Sequence, residues 1–214
     1  MGPLGHGFEI PKSGRQVRAI LVAGGMGVVP MVMLAEKIKS VVSRQLAHKG
    51  EVSPIWGGSS VVSQKTKQTT IDSRLSTVAV LIGARTRKEL LCEDEFKKLG
   101  CEVKVRTEDG SKGFKGLVTD LFVRLLSTID YSPRSLQGEA GRLSTVIYAC
   151  GPKPMLKKIA EISQRYKISA QVSMEESMAC GVGACYGCPV RTKDGYKLIC
   201  KDGPVFDAND IVWE

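Results

Sequence analysis

The sequence predicts an α/β fold: a five-stranded parallel sheet domain followed by a small cysteine-rich C-terminal module. Three observations carry that expectation. Nearly continuous apolar runs recur as VRAILV (17–22), TVAVLI (77–82) and STVIYA (144–149), and strands that are apolar on both faces belong inside a parallel sheet covered by helices. Each run ends in a turn rich in Gly, Pro or small polar residues and is followed by a helix-length stretch, the alternation that produces right-handed crossovers. Four of the seven cysteines fall between 180 and 200, behind the last strand.

Taken in order, residues 1–16, with GPLGHGF at 2–8, read as loop. The first strand, 17–22, runs straight into AGGMGVVP at 23–30. A helical pattern spans about 29–48, apolar at Met33, Leu34, Ile38, Val41 and Val42. Pro30 suits its first turn, where a missing N–H costs nothing, and Gly50 marks its stop. Residues 51–76, rich in Ser, Thr, Gln and Lys, read as a polar insertion without visible chemistry. The second strand, 77–82, ends at GARTR (83–87), and a helix over 88–99 stops at Gly100. EVKVR (102–106) alternates and predicts a more exposed third strand, followed by a turn at 107–111 and a helix over 117–129. A second polar loop covers 132–142. The fourth strand, 144–149, closes on CGPKP (150–154), a helix covers 154–166, and the fifth strand, 170–174, delivers the chain to the cysteines. The expected organisation is therefore a loop at 1–16, an α/β domain at 17–172 and a cysteine module at 173–214.

Composition narrows the function. A chain of 214 residues, 43% hydrophobic and 25% charged, has the make-up of a globular protein with a real core. No apolar run approaches the roughly 18–20 residues of a bilayer span, so no membrane span is expected. With no signal-peptide pattern, the seven cysteines are expected as reduced thiols in the cytoplasm. The net charge of +9 is uneven: residues 171–214 carry four Lys/Arg against seven Asp/Glu, leaving 27 basic and 15 acidic residues in 1–170. That surplus suits an anionic dinucleotide or an acidic protein face. Basic residues are not interleaved with aromatics, which make up 6% of the chain, so no nucleic-acid partner is expected.

Cys180, Cys185 and Cys188 have the spacing C-x4-C-x2-C, the plant-type pattern for a [2Fe–2S] cluster, and Cys200 follows twelve residues later. Each iron takes two thiolates, and Gly181, Gly183 and Gly187 allow a tight loop because glycine adopts φ > 0 without steric cost. No histidine lies in the window, which speaks against a Rieske centre. A structural zinc on four thiolates stays open, although zinc sites more often show two C-x2-C knuckles. Disulfides fit poorly without a secretory signal. The turn Gly24-Gly25-Met26-Gly27 leaves a strand and opens a helix, which suits a pyrophosphate; Pro30 stands where a third glycine would complete the G-x-G-x-x-G pattern, and a plain tight turn is the alternative. In such sheets ligands sit beyond the carboxyl ends of the strands. That places Arg85 and Arg87 by an adenosine ribose or 2′-phosphate, or simply in a solvated turn. Asp109 falls in the next turn at that edge. Cys150-Gly151-Pro152 comes after the fourth strand, with Cys150 either lining a nicotinamide pocket or serving as a small buried thiol. Cys92 and Cys101 match no metal spacing, and neither His6 nor His48 pairs with a nucleophile or carboxylate.

In combination these stretches resemble one family, the electron-transfer subunit of the NAD-using class of dihydroorotate dehydrogenase, within the ferredoxin-NADP reductase superfamily. The resemblance is carried by GPLGHGF (2–8), 21–30, TEDGSKGFKGLVTD (107–120), YACGPKPML (148–156) and 174–207, and covers nearly all of the chain outside the two polar stretches. It implies a [2Fe–2S] cluster on Cys180, Cys185, Cys188 and Cys200. It also implies NAD(H) binding by Gly24, Gly25, Gly27, Pro30, Arg85, Asp109, Cys150, Gly151 and Pro152, and no acid–base catalytic residue. The implied partner is an FMN-containing catalytic subunit interconverting dihydroorotate and orotate in pyrimidine biosynthesis. Family members begin with a β-barrel that holds most of the FAD. This sequence opens at the barrel's last loop and lacks an R-x-Y-S-type flavin motif, so a truncated product or a separate FAD-barrel polypeptide is expected. Two alternatives remain at this level: a reductase subunit serving ferredoxin, sulfide or hydrogenase partners, and a zinc-stabilised nucleotide-binding module without redox role.

Overall fold

A computed structural model describes residues 5–10, 17–48, 78–128 and 144–213. The polar stretches 51–76 and 132–142, and the stop at Gly50, lie outside the described residues. The chain forms β1 (Val17–Gly24), a 3-10 turn (Gly25–Gly27), α1 (Val28–His48), β2 (Val78–Ala84), α2 (Glu93–Lys98), β3 (Glu102–Thr107), β4 (Phe114–Lys115) and α3 (Val118–Thr128). Then come β5 (Ser144–Cys150), α4 (Lys153–Tyr166), β6 (Ser169–Ser173), a hairpin of β7 (Pro189–Thr192) and β8 (Gly195–Leu198), the short α5 (Ile199–Asp202) and β9 (Val205–Asp207).

The five expected strands form the parallel centre of a seven-stranded sheet of order β4-β3-β2-β1-β5-β6-β9. The short β4 extends one edge in parallel, and β9, from the cysteine-rich stretch, pairs antiparallel with β6 at the other. Side-chain alternation explains why the central strands are apolar throughout. Ala19, Leu21 and Ala23 of β1 join Met31, Leu34, Ala35 and Ile38 of α1 and Phe96 of α2 on one face. Ile20 and Val22 meet Val118 and Phe122 of α3 and Leu156 and Ile159 of α4 on the other. A one-residue slip would exchange the two sets, so burial itself specifies register. Each large side chain so buried is worth roughly 1.5–3 kcal/mol relative to exposure.

The cysteine-rich stretch shares this second core. Cys188, Val190, Leu198, Ile199, Cys200 and Phe206 are buried in one cluster with α3 and α4. The N-terminal segment straps the same edge: the His6 N–H donates to the Gly203 carbonyl and the Val205 N–H to that of His6. Farther along, the Tyr148 hydroxyl and the Gln171 amide both donate to the Glu9 carbonyl. Among the described residues no helix is long and apolar enough to cross a membrane.

Two elements differ from expectation. Met33 is 75% exposed; the buried stripe of α1 is Met31, Leu34, Ala35 and Ile38, the i, i+3, i+4, i+7 set of a single helix face. The helix expected over 88–99 is a 3-10 turn (Arg87–Glu89) and then the short α2. Cys92 lies between them at φ +59°, a left-handed conformation that interrupts an α-helix.

Candidate nucleotide cleft and cysteine loop

The register brings the strand exits level. Gly24 pairs with Gly83, Ala23 with Cys150, and Ala84 with Thr107. Above them opens a cleft of about 760 Å³ with Gly24, Gly25 and Gly83 as its floor. One wall is the bend from Gly116 to Asp120 at the start of α3; the opposite one is Pro152, Pro154, Met155 and Lys158. Arg85, Glu89 and Glu108 supply further charged groups around it.

Two of the three floor glycines are tightly enclosed, and the third, Gly25, has open space around it but sits at φ +54°. A Cβ on Gly24 would stand 2.7 Å from the Met155 sulfur, and one on Gly83 2.7 Å from the Val118 Cβ. On Gly27 it would lie 2.4 Å from the Cys150 carbonyl oxygen. The turn after β1 is thus locked against the turn after β5, with backbone left bare toward the cleft, the condition for close approach of a pyrophosphate.

Of the residues expected to bind a nucleotide, Gly24, Gly25, Arg85 and Pro152 line the cleft, whereas Gly27, Pro30, Asp109, Cys150 and Gly151 do not. Gly27 is the buried packing contact just described. Pro30 is exposed in the first turn of α1. Asp109 works one step back: its carboxylate accepts from the Ser111 N–H and hydroxyl at 2.9 and 2.7 Å, and Ser111 Oγ accepts from the Arg87 N–H at 2.7 Å. Those Ser111 contacts lower the Asp109 carboxyl below its ordinary range. Cys150 is 2% exposed, and burial raises its thiol above the ordinary value while a contact with the Ser173 side chain opposes the rise. Sequence reasoning missed the 116–120 wall, Glu89, Met155 and Lys158. The GFKGLVTD run at 113–120 was visible, but nothing local says that its bend meets the ends of β1 and β2.

The cysteine loop is built from backbone donors. Cys180 Sγ accepts from the N–H groups of Val182, Ala184 and Cys185 at 3.5, 3.3 and 3.4 Å. The Val182 N–H, then that of Cys185 and the Cys185 thiol, bring Cys180 down to about 6. Cys185 Sγ accepts from Gly187 at 3.4 Å, and Cys188 Sγ from the Cys200 N–H at 3.5 Å. Gly181 and Gly183 take positive φ as expected, but the third such residue is Tyr186, not Gly187. Gly187 contributes its N–H instead.

The thiols fall as two neighbouring pairs: the Cys185 N–H donates to Cys180 Sγ and the Cys200 N–H to Cys188 Sγ. The Cys188 contact, with desolvation, raises Cys200 above the ordinary thiol value. Among the described residues no three His, Cys, Asp or Glu side chains converge as one metal ion would require. Two thiols for each of two irons, with N–H donors already turned toward sulfur, is a donor set that fits a [2Fe–2S] cluster.

A glycine-floored cleft at the carboxyl edge of a parallel sheet, sharing a core with a loop of paired thiols, fits the class of nucleotide-binding proteins that carry an iron–sulfur cluster. Comparison with known proteins agrees. Residues 21–161 match the oxidoreductase NAD-binding domain, and residues 175–212 match the iron–sulfur cluster binding domain of dihydroorotate dehydrogenase B. The chain belongs to the oxidoreductase NAD-binding domain family, and its C-terminal match decides for iron–sulfur over zinc.

Two curated relatives are each a dihydroorotate dehydrogenase B (NAD(+)), electron transfer subunit. That of Geobacillus kaustophilus is 35% identical over 215 residues, covering 99% of this chain and 64% of the relative. That of Caldanaerobacter subterraneus subsp. tengcongensis is 33% identical over 216 residues, covering 99% and 65%. The chain thus spans about 65% of the length of such relatives. A solved NADH-dependent reduced ferredoxin-NADP oxidoreductase, studied for flavin-based electron bifurcation, aligns with TM-score 0.66 and 25% identity over 100% of this chain and 59% of that one.

Proposed function

We propose that this chain is the NAD(H)-binding and cluster-binding part of an electron-transfer subunit. It relays electrons between NADH, FAD and a [2Fe–2S] cluster, and to or from an FMN-containing catalytic subunit of dihydroorotate dehydrogenase. The observation that carries the reading is the shared core: Cys188 and Cys200 are buried in one cluster with α3 and α4, the helices whose first turns wall the cleft. Two sites built on one core keep a fixed separation, and fixed separation is what a relay of electrons needs. An ion pair from Lys153, at the start of α4, to Glu176, on the segment entering the cysteine loop, adds a surface tie.

The residues of this chain bind, orient and tune. Gly24 and Gly25 offer bare backbone to the pyrophosphate, while Arg85 and Lys158 bring positive charge to the cleft. Cys180, Cys185, Cys188 and Cys200 would hold the cluster. The N–H groups of Val182, Ala184, Cys185 and Gly187 would favour extra electron density on its sulfurs, a lever on reduction potential. When bound, the flavin supplies the conversion between two-electron hydride and single electrons, and the cluster their one-at-a-time carriage. No acid–base side chain is required of this chain.

The test is a visible absorption spectrum of anaerobically purified protein before and after NADH. Cluster and flavin bands that both bleach support the whole relay. Cluster bands that bleach with dithionite but ignore NADH limit this chain to the cluster-bearing end. Colourless, zinc-loaded protein from metal-replete anaerobic expression would overturn the reading. The likeness to the NADH-dependent oxidoreductase favours a second reading, a reductase subunit with another acceptor. Co-expression with a dihydroorotate-oxidising subunit separates the two, since only the first gives orotate-dependent oxidation of NADH.

A further inference from the structure

We propose that Arg106 is a positioning residue for the adenosine half of the cleft, acting through the bend at 115–120; this rests on the reading of the cleft as an NAD(H) site. Arg106 lies near the end of β3 with its side chain only 18% exposed, and it is not itself a lining residue. Its Nε and Nη2 both donate to the Lys115 carbonyl, at 3.2 and 2.7 Å. Nη2 also faces Asp120 Oδ2 at 3.8 Å, and that same oxygen accepts from the Leu117 N–H at 3.2 Å. One guanidinium therefore holds both ends of the bend whose inner surface is the wall from Gly116 to Asp120.

Gly116 shows how closely the bend is fitted to this side chain. A Cβ there would come within 2.7 Å of Nη2, and the backbone sits at φ +129°. The Gly116 N–H is tied to the Thr107 carbonyl at 3.0 Å, and Val118 presses on Gly83 at the exit of β2. Strand order places β2 and β3 together on one side of β1. With the pyrophosphate over the turn after β1, the wall on the β2 side meets the adenosine half. A planar fork that donates twice to one carbonyl while facing a carboxylate is work for arginine; lysine offers a single compact charge.

The experiment measures AMP and NADH binding to the full chain by titration calorimetry. Arg106→Gln should weaken both by the same factor, about tenfold, the scale of one charge-assisted hydrogen bond, and leave the cluster spectrum unchanged. Arg106→Lys should recover part of the loss. Gly116→Ala should also weaken AMP, and the double variant should be no worse than the poorer single one, because both act on one bend. Unchanged AMP affinity in Arg106→Gln, a loss for NADH alone, or additive losses would overturn the proposal. Should Arg106→Gln fail to fold, Arg106→Lys carries the same comparison, and wild-type AMP affinity in it refutes the role. Wild-type chain that binds neither AMP nor NADH would overturn the nucleotide reading and this inference with it.

Discussion

The turn after β1 and the cysteine loop are both glycine-rich, and one glycine from each is required for the opposite reason to the other. Gly27 is enclosed: a Cβ would lie 2.4 Å from the Cys150 carbonyl oxygen, while its own φ is unexceptional. Gly181 is the reverse, at φ +67° with nothing within 4 Å of an added Cβ. The first glycine permits close packing of two turns, and the second permits a backbone conformation that points N–H groups at sulfur. The thiols divide in a similar way, since Cys185 is exposed whereas Cys188 is only 3% exposed inside the core. Glycine or cysteine in a motif therefore says little about tolerance until its surroundings are known.

The largest effect expected from that contrast is at the thiols. Cys185→Ser should remove the visible cluster bands and leave the far-ultraviolet helical signal of the chain intact. Cys188→Ser should remove the same bands and also lower the melting temperature of the metal-free chain, because a hydroxyl replaces a thiol in an apolar core at a cost of about 1–3 kcal/mol. Equal melting temperatures for the two metal-free variants would erase the distinction between surface and core thiols.

Next comes Gly27→Ala. Forcing a methyl against a backbone carbonyl should cost about 1–3 kcal/mol in urea unfolding and weaken NADH binding, with the cluster spectrum preserved. Gly181→Ala should cost about 1–2 kcal/mol of left-handed strain, read as faster loss of cluster colour on warming, with NADH affinity unchanged. If Gly181→Ala disturbed NADH and Gly27→Ala did not, the assignment of the two loops would be reversed.

The smallest effect concerns Glu93, held by Lys112 and Lys97, which draw its carboxyl below the ordinary range. Lys112 belongs to the 107–116 loop, so this pair anchors that loop to α2. A depressed carboxyl stabilises the fold above its ordinary range, and the contribution disappears as pH falls through the depressed value. Glu93→Gln should thus lower stability at pH 7 by less than about 1 kcal/mol, and the gap to wild type should close under acid conditions. A gap that widens below pH 4 would contradict the assignment.

Much of this was open to inspection in the sequence, and the failures have physical causes. Apolar runs located the three innermost strands, β1, β2 and β5, because two-sided burial leaves little room for polar residues, while the more exposed β3 shows itself by alternation. The spacing of Cys180, Cys185 and Cys188 identified the thiol loop, since ligands on one short loop are constrained by chain length alone. Cys92 ended the reading of a long helix at 88–99, since periodicity cannot register a single left-handed residue. Met33 belongs to the apolar pattern of α1 by composition alone, whereas the buried face is Met31, Leu34, Ala35 and Ile38. Asp109 is expected at the cleft from its position after a strand exit, but the fold uses it to hold a turn. Of the two readings open for Cys150, burial gives the small buried thiol.

The alternation of five parallel strands with helices and the four thiols follow from periodicity and spacing, which are properties of neighbours along the chain and survive without knowledge of the fold. Which glycines are enclosed, which thiols are buried, that β9 returns to pair with β6, and that Arg106 braces a wall it does not line are set by contacts between segments far apart in sequence. Those contacts exist only once the sheet has closed over both cores, and no local pattern encodes them.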